Sequence, residues 1–168
     1  MYLIEVKKCV GGQHEYQHAT LSIHVVRGEP MATIEHSEII NAPPERVFEL
    51  LRRVEDFADY SDLIRSIETL GENRYRWHVR AVGMDWAFDV MVTEVQPPYV
   101  LAWESLDGVK NQGRYRLREV PEGTEVALTL SYEIRNRLME KAVNKAAKPL
   151  VGKVSRQILE RVEARLNQ

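Results

Sequence analysis

Three tryptophans, Trp77, Trp86 and Trp103, and three tyrosines, Tyr75, Tyr115 and Tyr132, fall in segments whose alternation sends them to one side of a sheet. With Phe88 and Leu128 they could line a pocket for a flat or greasy molecule, since ligand pockets are mainly apolar with a few fixed polar groups. The tyrosine hydroxyls could then orient a carbonyl or hydroxyl of the ligand. The same residues would also serve an ordinary core, with indole N–H groups and hydroxyls bonded to the backbone.

Catalysis on such a ligand needs more than a greasy surface. Aldol closure and dehydration require an acid or base near an enolisable ketone and a polar group for the developing oxyanion. The apolar strand positions carry no His, Asp, Glu, Lys or Arg until Glu94 and Glu119, near strand ends. His78 and Arg80 alternate onto the outer face unless Gly83 marks a bulge that changes the register. His36 stands two residues from Ile34 and could share its face, although a solvated surface histidine is the expectation. His14-x3-His18 has metal-ligand spacing on a helix, but Gly11-Gly12 and the strand-like residues after it argue against one, so no metal or cofactor is expected. Phosphate-loop, HExxH and Gly-x-Ser-x-Gly motifs are absent. No catalytic residue is assigned.

The elements that must position these residues follow from periodicity. Ile34–Ile40 reads as a strand, and Asn41 as the cap of a helix from Pro43 to Val54 on which Val47, Phe48, Leu50, Leu51 and Val54 recur at helical spacing. A second helical piece is expected over Phe57–Leu63. Six strands follow near Ile64–Leu70, Arg74–Val82, Asp85–Val95, Val100–Ser105, Gly113–Val120 and Thr124–Ile134, separated by Gly, Pro and Asn turn signals. Connections this short require antiparallel pairing. The outer face is wet, with Arg76, Arg80, Asp85, Asp89, Arg114 and Arg116 placed to pair across strands.

The apolar face needs a cover. A long helix over Asn136–Leu166 offers one, kinked at Pro149, with Val143, Ala146, Leu150 and Val154 turned toward the sheet. Ala142, Ala146, Ala147 and Gly152 are small and sit opposite large aromatics, which leaves tight packing and a hollow both open. Lys141, Lys145 and Lys148, with Arg135 and Arg137, read as the solvated side of this helix; docking on an anionic membrane or on ribosomal RNA is the lesser alternative.

The 168 residues suit one domain, 31–168, opened by Met31-Ala-Thr-Ile-Glu-His. Residues 1–30 read as an extension that is either partly flexible or holds one extra strand, for which Leu21, Ile23 and Val25 alternate. A net charge of -2 gives no global case for nucleic acid, and DNA is not an expected partner. Cys9 is the only cysteine, so no intrachain disulfide can form. Neither a signal peptide nor a membrane-length apolar run is visible, and a cytoplasmic location is the default expectation.

The order of one strand, two helices, a six-stranded meander and a long helix is that of the helix grip. The chain also resembles the START-like superfamily, in its polyketide cyclase/dehydrase and coenzyme-Q-binding branch. The matching pieces are Ile39-Ile40-Asn41-Ala42-Pro43-Pro44-Glu45-Arg46-Val47-Phe48, Phe57-Ala58-Asp59-Tyr60, Val100-Leu101-Ala102-Trp103-Glu104-Ser105, Asn111-Gln112-Gly113 and Glu122-Gly123-Thr124-Glu125-Val126. The resemblance covers about residues 33–166. It implies an α+β fold in which a curved antiparallel sheet of about seven strands carries the long helix across its concave face. It also implies an internal cavity for a lipid, an isoprenoid quinone or a polyketide-like aromatic. The expected lining is Tyr75, Trp77, Trp86, Phe88, Trp103, Tyr115, Leu128 and Tyr132, closed by Val143, Ala146, Leu150 and Val154, with Phe57 and Tyr60 near a mouth. An aromatase/cyclase and a ribosome-associated interaction protein are the alternatives within the same superfamily. Monomer and homodimer both remain open.

Overall fold

Pro44 opens the first helix because its fixed φ suits the first turn and its missing N–H is not needed there. The cap residue is Pro43, with extended backbone and no side-chain cap bond, so Asn41 does not cap this helix. A computed structural model describes residues 20–24, 31–135 and 137–168. Cys9, Gly11, Gly12, His14, His18 and Val25 lie outside the described residues.

The strands are β1 (Thr20–His24), β2 (Ala32–Ile40), β3 (Ile64–Gly71), β4 (Arg74–Ala81), β5 (Met84–Gln96), β6 (Val100–Gly108), β7 (Lys110–Val120) and β8 (Gly123–Glu133). They form a single antiparallel sheet in the order β1-β2-β8-β7-β6-β5-β4-β3. The seven strands β2–β8 make the helix-grip sheet, and β1 adds an eighth by pairing Ile23 with Ile34 on the β2 edge. The helices are α1 (Pro44–Leu51), α2 (Phe57–Tyr60) and α3 (Arg137–Leu166), with a 3-10 turn at Val54–Asp56 before α2. The second helical piece is therefore shorter than the pattern suggests. Tyr60 passes directly into the extended Ser61, whose hydroxyl donates to the Gln157 side chain at 2.6 Å.

Strands β6 and β7 run further than expected and nearly meet. Gly108 permits this: its φ is +80°, and a Cβ there would come within 2.9 Å of the Phe88 backbone. The chain thus stays hydrogen-bonded to β5 through Asp107-Gly108 where the turn chemistry suggests a loop.

Helix α3 packs against β2, α1 and α2. Its two halves do different things. Ile158, Leu159, Val162 and Leu166 are buried with Val47, Phe48, Leu51, Phe57 and Tyr60 in the main core, whose Ile158 and Phe57 also reach a cavity beneath the helix. Burying each such side chain contributes about 1.5–3 kcal/mol, so this end anchors the helix. The half from Val143 to Val154 meets less. Ala147 and Gly152 are buried there, while Ala142 is exposed. A hollow, not tight packing, lies beneath it.

The wet face is as alternation demands. Arg76 donates two hydrogen bonds to Asp89, at 2.7 and 2.8 Å, and Arg80 reaches Asp85 at 3.2 Å. The Arg76 guanidinium holds the Asp89 carboxyl below its ordinary pKa, against some desolvation. His78 lies on the same face, 3.1 Å from Glu68. Gly83 does not shift the register of β4, because it occupies the second place of a two-residue turn between Ala81 and Met84.

Candidate functional site

Between α3 and the concave face lies a cavity of about 280 Å³. The sheet supplies its aromatic wall. Trp77 and Phe88 are paired across β4 and β5 and stack with ring centroids 6.1 Å apart. Trp86 stands two residues before Phe88 on the same face, and its indole N–H donates to the Ala81 carbonyl at 3.1 Å. Trp103 and Tyr115 on β6 and β7 tilt against one another at 5.6 Å. Leu128, Leu130 and Tyr132 continue the wall along β8. Val143, Leu150, Val151 and Val154 close it from α3.

Of the expected lining, then, Trp77, Trp86, Phe88, Trp103, Tyr115, Leu128, Tyr132, Val143, Leu150 and Val154 stand in one wall. Two do not. Tyr75 is half-buried beside Glu55, outside the wall; burial, with the Glu55 charge second, raises its pKa above the ordinary value. Ala146 gives way to Ala147, which is buried and faces the cavity. Neighbouring helix positions differ by about 100°, so a shift of one residue changes the face presented.

Phe57 and Tyr60 are not at a mouth. Phe57 is 5 % exposed and meets Trp77 edge-on at 5.9 Å, so it closes the inner end of the wall. Tyr60 is 2 % exposed, lies under the Arg165 guanidinium and receives a hydrogen bond from it at 3.1 Å. The cavity reaches solvent at the β4–β5 hairpin tip, where Val82 lines the wall and is 41 % exposed. Both turn residues have positive φ, 55° at Val82 and 73° at Gly83, a type I′ geometry that costs a β-branched side chain strain.

No Asp, Glu, Lys, Arg or His lines the cavity among the described residues. Glu94 pairs with Arg114 and Glu119 is exposed. The polar part of the wall is Asn111, Ser155 and the two tyrosines. Asn111 is engaged at both ends of its amide: its Oδ1 accepts from Trp103 Nε1 at 3.3 Å and its Nδ2 donates to the Val109 carbonyl at 2.8 Å. Tyr132 is hydrogen-bonded to Asn144 at 2.9 Å. Burial alone pushes the Tyr115 phenol well above its ordinary pKa, so it stays neutral. The Trp77 indole N–H is buried with no acceptor among the described residues.

His36 is not a surface residue. It is 3 % exposed, its Nδ1 is 2.7 Å from Ser155 Oγ, and its Nε2 is 3.1 Å from Glu38 Oε1. The C-terminal half of α3 covers this part of β2, which a strand read by itself does not reveal. Ser155 carried a signal in the sequence, the 4-3-4 spacing of Val151, Ser155, Ile158 and Val162 on one helix face. Of the basic row, Lys141 and Lys145 face solvent and Lys148 is half-buried. No described helix is long and apolar enough to cross a membrane.

A curved antiparallel sheet gripping a long helix around an apolar hollow defines a helix-grip, START-like protein with a hydrophobic ligand-binding fold. The sequence model of the polyketide cyclase/dehydrase and lipid transport family matches residues 31–167, and the chain belongs to that family. Among solved structures, a Thermus thermophilus protein is 27% identical, with a TM-score of 0.68 over 79% of this chain and 98% of its own. The Zhui aromatase/cyclase of a Streptomyces species is 21% identical, with a TM-score of 0.65 over 81% and 96%. A START superfamily protein of Mycobacterium smegmatis is 17% identical, with a TM-score of 0.67 over 80% and 97%. These last two share the fold. No curated protein sequence matches the chain.

Proposed function

We propose that this protein binds a hydrophobic, ring-containing small molecule, of the lipid, isoprenoid quinone or polyketide-like aromatic class, in the cavity between α3 and the sheet. The observation that carries the proposal is the wall itself: three indoles and Phe88 around a hollow without a charged side chain among the described residues. A void of this size in a merely structural core would be destabilising, because cavity formation costs about 24 cal/mol per Å³. A bound ligand repays that cost by burying its own apolar surface. The volume suits one or two fused rings, or the ring end of a longer molecule whose tail leaves past Val82. Binding and sequestration fit better than turnover, since among the described residues the cavity wall presents no carboxylate, lysine, arginine or histidine to move a proton directly.

Native mass spectrometry and organic extraction of the protein purified from cells test this. Binding predicts a copurifying apolar molecule present at a fraction of one equivalent and displaced by an added aromatic. Protein that carries no such molecule and takes up no aromatic from solution would contradict it.

A further inference from the structure

We infer that Ser155, backed by His36 and Glu38, is a hydrogen-bond-accepting subsite in the cavity wall that selects ring ligands bearing a hydroxyl. This rests on the ligand-binding reading above and names the feature of the ligand that the wall would recognise.

Ser155 on α3 is 1 % exposed and lines the cavity, while His36 behind it does not. Polar groups buried in an apolar setting must satisfy one another, and an acceptor-only Glu38 carboxylate assigns the bonds among these three. The Glu38 carboxylate, 3.1 Å from His36 Nε2, can only accept, so Nε2 carries the proton. With the ring in the Nε2–H tautomer, Nδ1 is bare and accepts from the Ser155 hydroxyl at 2.7 Å. In that tautomer the serine proton is committed to histidine. What Ser155 has left is acceptor capacity, and no other described group hydrogen-bonds to its Oγ.

The other oxygens of the wall compete less well for that role. Asn111 is engaged on both ends of its amide, and Tyr132 donates to Asn144, which leaves only a phenol oxygen whose lone pairs are shared with the ring. Tyr115 is a neutral phenol whose oxygen accepts weakly, its lone pairs being shared with the ring. A phenol or enol O–H directed at Ser155 gains a hydrogen bond in a low-dielectric site. A ketone or an ether at the same place sets lone pair against lone pair. Glu38 and His36 are positioning residues here, since they act through Ser155.

The test is a paired titration of the wild-type chain with 1-naphthol and 1-methoxynaphthalene, followed by intrinsic tryptophan fluorescence. The expected result is about tenfold tighter binding of the naphthol, as one hydrogen bond in a buried site warrants. Ser155→Ala should retain the methoxy compound and reduce the preference to within about twofold. Ser155→Cys, which keeps the shape but accepts poorly, should do the same and guards against an effect of misfolding. His36→Phe should reverse the preference in part, because the freed serine proton can then donate to the ether oxygen, an effect that a purely structural role would not produce. Equal affinities in the wild type, or a preference preserved in Ser155→Ala, would overturn the subsite while leaving the cavity reading intact. Failure of both compounds to bind would overturn the two together.

Discussion

Gly113 sits directly across from Trp103 in the β6–β7 pairing, and the Trp103 indole lies over it where a Cβ would have to stand. The glycine is what lets the indole lie flat toward β7 beside Tyr115, where it walls the cavity without filling it. A methyl group at 113 would overlap the six-membered ring and push it into the hollow. Gly113→Ala is therefore expected to lower stability by about 1–3 kcal/mol, the usual cost of overpacking. It should weaken binding of a naphthalene-sized aromatic by more than Ser155→Ala does. Chemical denaturation and fluorescence titration of the same preparation measure both.

The division of α3 into a packed half and a cavity half separates stability from binding. Phe48 is 1 % exposed in the main core and does not line the cavity. Phe48→Ala should cost about 3–5 kcal/mol while leaving the affinity of the folded fraction near wild type. Val154→Trp, which fills the hollow, should do the reverse, abolishing saturable binding while shifting the unfolding midpoint little. Denaturation curves and titrations on the two variants form a crossed pair.

The hairpin tip at the opening carries strain that a suitable residue would relieve. Val82 has φ 55°, where asparagine is at ease and a β-branched side chain is not. Val82→Asn is expected to raise stability by about 0.5–1 kcal/mol, a fraction of the roughly 1–3 kcal/mol stored in such a conformation. Thermal unfolding checks this.

Tyr115 gives a pH dependence of fixed sign. Burial raises its folded pKa above the ordinary 10.0. The folded chain therefore keeps this proton at a pH where the unfolded chain has released it. Its contribution is whole below pH about 10 and is lost as the pH climbs toward the raised folded value. Tyr60, Tyr75 and Tyr132 are raised too and act in the same direction. Urea midpoints measured from pH 8 to 11 should fall in the wild type and fall less steeply in Tyr115→Phe.

The sheet and its wet and apolar faces were legible because each strand has a period of two, and a wrong register would have put Arg76 and Arg80 inside with the tryptophans. Seven expected lining positions on the strands, from Trp77 to Tyr132, fall on the wall for the same reason. What the pattern missed depends on where α3 lands. The burial of His36, and with it the Ser155–His36–Glu38 chain, arises only when a helix 119 residues further along covers β2. The choice of Ala147 over Ala146 turns on helix rotation, which small residues on both sides leave undetermined. The position of the opening was also hidden. Phe57 and Tyr60 look like entrance residues by type, but the turn that carries them folds inward against Trp77 and Arg165.

The most direct test of the cavity as a ligand site is a fluorescence titration of the wild-type chain and Val154→Trp with 1-naphthol, run in parallel with isothermal calorimetry for stoichiometry. Saturable binding of one molecule per chain in the wild type, lost in the filled variant, is the result this account expects. Linear, non-saturating quenching in the wild type, or binding that survives in Val154→Trp unchanged, would mean that the aromatic wall is core and that whatever binds does so elsewhere.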